Sequence, residues 1–281
     1  MTINDKNIND ETAQNKIGIF IPCYNVENII SDVLDTFSPK VLLQIDTVLV
    51  INNCSSDDTL DILKKIQNSD HPVASRLVII HNMKNYGLGG SQKIAYQYFL
   101  DHHFSHFMII HGDNQGNGNQ IAVNFLQTFK LNPCVDLIVA SRFIKGSDTS
   151  QYHSLRVFGN ILFNWFTFLF TGHKMSDSGA GILFYRTEIL RRLPFQHLTN
   201  DAQFNPQLNV LMYNLKDIKI KEIKLNWVDS ETASSISGFN YCLTLLKILF
   251  NYRINTLFYR QVGWQAFHKK SQNFSPSCKI N

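Results

Sequence analysis

Apolar residues fall in short continuous runs separated by polar loops rich in Asn, Gly and Ser. Lys16–Pro22, Asp46–Asn52, Arg76–His81, Phe104–His111 and Val135–Ala140 each predict a strand buried on both faces. Between them the spacing turns helical. Asn28–Ser38 carries Ile29, Ile30, Val33, Leu34 and Phe37 at helical intervals, and Asp57 and Asp58 open a helix lined by Leu60, Leu63 and Ile66. The turn Tyr86–Ser91 opens a helix through about His102, and Gln120–Leu131 is helical as well. Alternating strands and helices of this kind predict an α/β fold: a mostly parallel central sheet covered by helices on both sides. In such sheets ligands bind beyond the carboxyl ends of the strands. The polar clusters lie there: PCYN (Pro22–Asn25) with Glu27, NNCSSDDT (Asn52–Thr59), HGDNQ (His111–Gln115) and SRF (Ser141–Phe143).

Beyond Ala140 the pattern changes. Val157–Thr171 is apolar around most of its girth, with Asn160, Asn164, Thr167 and Thr171 forming one narrow stripe. At ~1.5 Å per residue it is ~22 Å long, too short for a bilayer. It is therefore buried in protein or amphipathic and interfacial, and its crowded aromatics suit a headgroup boundary. Phe239–Phe250 is a second short apolar helix, flanked by Lys247, Arg253 and Arg260; it either closes the core or rests on an anionic membrane surface. Ile218–Trp227 alternates and predicts a half-buried strand.

Composition narrows the class. Across 281 residues, 44% are hydrophobic and 17% charged, which excludes a disordered chain. The net charge of +4 gives no reason to expect nucleic acid as a partner. Five cysteines without a CxxC pair support neither a disulfide framework nor a zinc site and favour a reducing compartment. Residues 1–15 read as a flexible polar tail without a hydrophobic signal core, consistent with a cytoplasmic protein, and the segment from Lys269 reads as a disordered tail.

The order PxYN…E, an Asn/Asp-rich loop with Ser, Asp and Thr, NxGxGG, a short acidic motif ending in Gln, and SRF resembles glycosyltransferase family 2. It is similar in particular to the dolichol-phosphate mannosyltransferase and polyprenyl-phosphate glycosyltransferase branch. The resemblance runs from about Lys16 to Trp227. It implies a GT-A nucleotide-diphospho-sugar transferase fold over residues 16–228, with a donor half (16–140) and an acceptor half (141–228), followed by a loop, amphipathic helix and tail (229–281). It also implies a nucleotide-sugar donor, a divalent metal (Mg²⁺ or Mn²⁺), and a lipid-phosphate or glycan acceptor met by peripheral contact with the cytoplasmic membrane face.

On this resemblance the donor is held by Pro22, Tyr24, Asn25, Glu27, Asn52, Asn53, Asp57, Asn85, Gly87, Gly89, Gly90, Gly112 and Asp113. Asn52 and Asn53 stand where the family has acids, though an amide also pairs with a base. Glycines let backbone amides approach phosphate at a helix N-terminus, and Lys93 either meets phosphate or is solvated. The metal falls to Asp113 and Gln115, with His111 standing where the family has the first aspartate; imidazole suits Mn²⁺ better than Mg²⁺. Catalytic candidates are Asp113, Asp201, Arg142 and Arg156. The two arginines bind an acceptor phosphate or form structural ion pairs. Asp177 orders the acceptor loop or is a turn residue. Asp201 acts as a general base for a hydroxyl acceptor, whereas an ionised lipid phosphate needs none. Ser230–Ile236 resembles a loop that folds over the diphosphate. A non-catalytic nucleotide-sugar-binding protein stays open at this point, because three acids of the pattern are replaced.

Overall fold

The structure is a computed structural model that describes residues 15–113, 115–228, 238–260, 263–267 and 274–280. The chain-order elements are β1 (Ile17–Cys23), α1 (Ile30–Asp35), α2 (Pro39–Leu42), β2 (Thr47–Asn52), α3 (Thr59–Gln67), β3 (Leu77–Asn82), α4 (Gly87–Asp101), β4 (His106–Ile109), α5 (Gly118–Leu131) and β5 (Leu137–Ser141). They continue with α6 (Ser154–Thr171), β6 (Leu183–Arg186), α7 (Phe204–Asn214), β7 (Ile220–Lys224), α8 (Gly238–Phe258) and β8 (Cys278–Ile280). One eight-stranded sheet runs β7-β5-β6-β4-β1-β2-β3-β8. Strands β1, β2, β3 and β4 are parallel, as are β5 and β7, while β6 and β8 are antiparallel to their neighbours.

The continuous apolar runs are continuous because both faces are covered. Ile19 and Ile21 enter a core shared with α1 and α5, whereas Phe20 between them enters the opposite core against α4 and α7. All three are fully buried. The GT-A reading of the sheet is met.

Three features differ from the sequence reading. The chain after Lys269 is not loose throughout: Cys278–Ile280 form β8 against β3, which would otherwise be an unpaired edge. Tyr86 Oη accepts from Ser277 N at 2.7 Å, and the Phe274 ring sits edge-on to Tyr86 at 5.6 Å. The strand expected over Ile218–Trp227 is shortened to β7, an edge strand with no buried residue. Helix α7 has no counterpart among the predicted elements; its apolar Phe204, Leu208, Leu211 and Met212 lie at helical spacing, with Pro206 in the first turn, where its missing N–H costs nothing.

The stripe on α6 has a definite direction. Asn164 donates to Ser176 O at 2.7 Å and accepts from Ser178 N at 2.8 Å, so the polar line faces the protein. Phe163 and Thr167 are the buried residues of this helix. Leu155, Phe158, Ile161, Leu162, Trp165, Phe168 and Leu169 are exposed. Helix α8 packs on α6 through Leu245 and Leu249, which meet Phe163, and exposes Leu243, Phe250, Leu257 and Phe258. No helix among the described residues is long and apolar enough to cross a membrane.

Candidate functional site

The loops after β1 and β2 are stitched together by the residues expected to hold the donor. Asn25 N donates to Ser55 Oγ (2.9 Å), and Asn25 Oδ1 accepts from Ser56 N (2.9 Å). Asp57 accepts from Glu27 N (3.1 Å) and from Thr59 Oγ1 (2.6 Å), while Glu27 accepts from Asp58 N (2.8 Å). Burial works to raise the Asp57 pKa, but the bonds from Thr59 and Glu27 outweigh it and hold the carboxyl below its usual range. Asn25 itself adopts φ 52°, a conformation asparagine tolerates. Tyr24 points outward and is 49% exposed.

Asn52 and Asn53 are buried and engaged inside the protein. Asn53 Oδ1 accepts from Asn82 Nδ2 and from Tyr86 N, both at 2.9 Å, and its Nδ2 donates to Asn85 Oδ1 at 2.8 Å. A carboxylate could accept the first pair but could not donate to Asn85. The amide at this position thus has an internal reason. Asn52 Oδ1 accepts from Ser55 N (3.1 Å), and its Nδ2 meets His81 Nδ1 (3.2 Å).

The glycine turn has a packing role of its own. A Cβ at Gly87 would stand 2.4 Å from Asn200 O, and one at Gly89 would stand 2.7 Å from Thr199 O. Gly90 N donates to Asn200 O at 3.0 Å. The glycines admit the 199–201 backbone against the start of α4, and Asp201 Oδ1 hangs 3.4 Å from the Cβ position of Gly87. Lys93, one turn further, is neither solvated nor aimed at a phosphate. Its buried ammonium donates to Leu198 O (2.5 Å) and Asn200 Oδ1 (2.6 Å) and clamps the same segment.

The loop after β4 lies over the end of β1. A Cβ at Gly112 would meet Pro22 O at 2.7 Å and Cys23 Sγ at 3.0 Å. Burial, then the charges of Asp113 and Asp57, push the Cys23 thiol pKa up, which places both carboxylates near one point. Asp113 Oδ1 accepts from Gln115 N at 3.3 Å. The His111 imidazole is kept neutral chiefly by burial, with Asp113 opposing and Arg142 reinforcing.

On the acceptor side, Arg142 is bidentate to Asp177: Nε to Oδ2 at 2.7 Å and Nη2 to Oδ1 at 2.8 Å. Its Nη1 donates to Tyr152 Oη at 3.4 Å, and the guanidinium lies 5.5 Å from the Trp227 ring. Asp177 is therefore a buried ion-pair partner rather than a turn residue. Arg156 is exposed in the first turn of α6, and its carbonyl accepts from Asn160 Nδ2 at 2.7 Å. A cavity of about 140 Å³ opens between these loops, lined by His111, Arg142, Asp177, Gly181, Asn205 and Trp227 among others. Asn205 was not among the sequence candidates; the signal was the hidden helical spacing of α7.

No group of three or more His, Cys, Asp or Glu comes together among the described residues. A divalent ion here would take the Asp113 carboxylate, the Gln115 amide and His111, whose buried Nε2 has no hydrogen-bond partner among the described residues. This mixed oxygen–nitrogen set would suit a divalent ion such as Mn²⁺. Ser230–Ile236 lies outside the described residues.

The chain is 23% identical to a UDP-N-acetylglucosamine–dolichyl-phosphate N-acetylglucosaminyltransferase of Methanococcus voltae, over 84% of this chain and 98% of that protein. It is 22% identical to an uncharacterised protein of Methanocaldococcus jannaschii, over 89% and 96%. Among solved structures it resembles glucosyl-3-phosphoglycerate synthase from Mycobacterium tuberculosis in complex with UDP, with TM-score 0.60, 14% identity, and 87% and 80% of the two chains covered. It also resembles a mannosyltransferase from Pyrobaculum calidifontis in complex with GDP-mannose and Mn²⁺, with TM-score 0.53, 14% identity, and 91% and 68% covered. The sequence model of glycosyl transferase family 2 matches residues 18–194, well over half of the chain. The crossed loops at the strand ends thus belong to a GT-A enzyme, and the chain is a glycosyltransferase of family 2.

Proposed function

We propose that the chain transfers a sugar, with inversion, from a nucleotide-sugar donor to a polyprenyl phosphate of dolichyl type at a membrane face. The observation that carries the acceptor is the reversed amphipathicity of α6. Its polar stripe holds the loop of Asp177, while seven large apolar side chains point outward. A soluble surface helix has the opposite arrangement. Such a face suits acyl chains beside headgroups, with Lys247 and Arg253 exposed on α8 next to it. The Methanococcus voltae relative, by its name, acts on a dolichyl phosphate.

The donor enters over the ends of β1, β2 and β4. Tyr24 offers an exposed ring to the base, and the stitched loops of Asn25, Glu27 and Asp57 hold the shape of that site. When bound at Asp113, Gln115 and His111, Mn²⁺ or Mg²⁺ supplies Lewis-acid charge neutralisation for the leaving diphosphate. Arg142, fixed by Asp177 and lining the cavity, offers its guanidinium to an acceptor oxygen, and Arg156 adds a second cation at the head of α6. The acceptor phosphate is ionised and attacks without a general base. A second reading, a sugar hydroxyl as acceptor, rests on Asp201: an exposed carboxylate beside Gly87, preceding Ala202 of the cavity wall.

The test is nucleoside diphosphate release from UDP-N-acetylglucosamine, UDP-glucose and GDP-mannose with Mn²⁺, with and without vesicles carrying polyprenyl phosphate. Turnover that depends on the lipid phosphate is expected, and sedimentation with anionic vesicles should accompany it. Turnover only with soluble glycans, by a protein that stays in the supernatant, favours the hydroxyl reading. Asp113→Ala should abolish release with either acceptor; an intact rate removes Asp113 from the site.

A further inference from the structure

One corner of the cavity holds polar atoms that the protein itself leaves unused. Asn205, the second residue of α7, lines the cavity and is 5% exposed. Its Oδ1 is buried with no hydrogen-bond partner among the described residues. A buried acceptor without a partner is costly, because it gives up its bond to water and gains none in return. The rest of the helix shows no tolerance for such a loss. Asn209 donates to Ser178 O and Ala180 O, both at 3.1 Å, and Gln207 Oε1 accepts from Thr199 N at 3.1 Å.

Gly181 lets Asn205 and His111 pack close to the main chain. A Cβ there would stand 2.9 Å from Asn205 Nδ2 and 3.1 Å from His111 Nε2. Gly181 is not in a left-handed conformation, so the backbone alone does not require glycine. The close approach of the two side chains does. A ligand in the cavity that satisfies Asn205 must offer a hydrogen to Oδ1. Ionised phosphate oxygens only accept and so do not match, whereas a hydroxyl or an acetamido N–H does. Trp227 gives the cavity, about 140 Å³ in volume, an aromatic wall.

We propose that Asn205 is a specificity-determining residue of the donor site, its Oδ1 accepting a hydrogen bond from a hydroxyl or acetamido N–H of the transferred hexose in the cavity it lines. The inference rests on the nucleotide-sugar reading and deepens it by naming the group that reads the sugar.

The experiment is calorimetric titration of the full chain with UDP-N-acetylglucosamine, UDP-glucose, GDP-mannose, and UDP and GDP alone, in Mn²⁺. Wild type, Asn205→Leu and Asn205→Asp are compared. Leu has similar bulk without an acceptor; Asp retains an acceptor oxygen. Asn205→Leu should weaken the preferred nucleotide sugar about tenfold or more relative to the wild type, equivalent to ~1.4 kcal/mol. Its affinity for the matching sugar-free diphosphate should stay within about twofold, which also shows that the variant is folded. Asn205→Asp should keep most of the ratio between sugar donor and bare diphosphate. An unchanged ratio in Asn205→Leu, or equal weakening of both ligands, overturns the proposal. A wild-type chain that binds neither UDP nor GDP overturns the donor reading itself, and the inference falls with it.

Discussion

Removing the Asp177 carboxylate isolates the part of the site that the acceptor side depends on. In Asp177→Ala the Arg142 guanidinium loses bonds of 2.7 and 2.8 Å at once, and its main-chain N loses a third at 3.2 Å. The two side chains are 12% and 1% exposed, so water does not replace the lost partner. Burial works to lower the Arg142 pKa, and Asp177 more than reverses that effect. Without the carboxylate the desolvation remains and the compensation is gone. Breaking a buried pair from one side costs ~3–5 kcal/mol. At ~2–4 °C per kcal/mol for a domain somewhat smaller than this chain, the melting temperature should fall by roughly 6–20 °C. Removing both partners should cost far less: Arg142→Met with Asp177→Leu replaces two buried charges by apolar groups of comparable bulk, which is often close to neutral. The assay is calorimetric melting beside urea unfolding followed by tryptophan fluorescence, with Trp227 5.5 Å from the guanidinium as a local reporter. A fall below ~3 °C in Asp177→Ala, or a double variant as unstable as the sum of the two singles, refutes the argument that the pair is a desolvated, mutually dependent unit.

Two further substitutions probe the donor half. Asn53→Asp removes the donor to Asn85 Oδ1 and sets a carboxylate against it, so urea unfolding should show a loss of ~1–3 kcal/mol; an unchanged midpoint would mean that the asparagine network carries no weight. Lys93 has its pKa pulled by burial from 10.5 to about 8, with Asp201 opposing. Its folded value is the lower one, so between about pH 8 and 10.5 the unfolded chain binds the extra proton and this group adds stability as pH rises, on the order of 3 kcal/mol across the window. Lys93→Met should lack that contribution, so the stability difference between wild type and variant should move toward the wild type as pH rises; parallel curves from pH 7.5 to 10 would exclude the titration.

The sheet was legible because each central strand is buried on both faces and shows it as an unbroken apolar run. The loops followed from the strands, since chemistry in an open α/β sheet gathers at their carboxyl ends. Roles within the loops were less legible, because a side chain's partner is set by what lies across the gap. NYGLGG has the composition of a phosphate turn, yet Gly87 and Gly89 serve the approach of Thr199 and Asn200, more than a hundred residues away in sequence. Asn53 looked like a weakened acid and is instead a two-way hydrogen-bonding hub. Helix α7 hid its spacing behind Pro206 and three buried amides, and so concealed Asn205. The final strand is three residues long, too short for any periodicity, and exists because β3 presents a free edge.

The apolar helix was the case in which spacing alone left two outcomes open, and the position of its polar stripe removes the plain core helix. A core helix would bury the wide apolar arc and leave the stripe in water. In α6 the stripe is inside: Asn164 ties the 176–178 loop, and Asn160 reaches Tyr152 Oη at 3.1 Å and Arg142 Nη2 at 3.5 Å. The side chains that orient the acceptor arginine and those that face outward therefore sit on one rigid element. If the acceptor is the lipid phosphate proposed above, this element would serve both of its ends, the anion at Arg142 and the hydrocarbon along Phe158, Leu162 and Trp165. A glycan acceptor would make no use of the same face, which otherwise only costs solubility. Within that proposal, the outward arc of α6 is the feature that favours a lipid over a glycan acceptor.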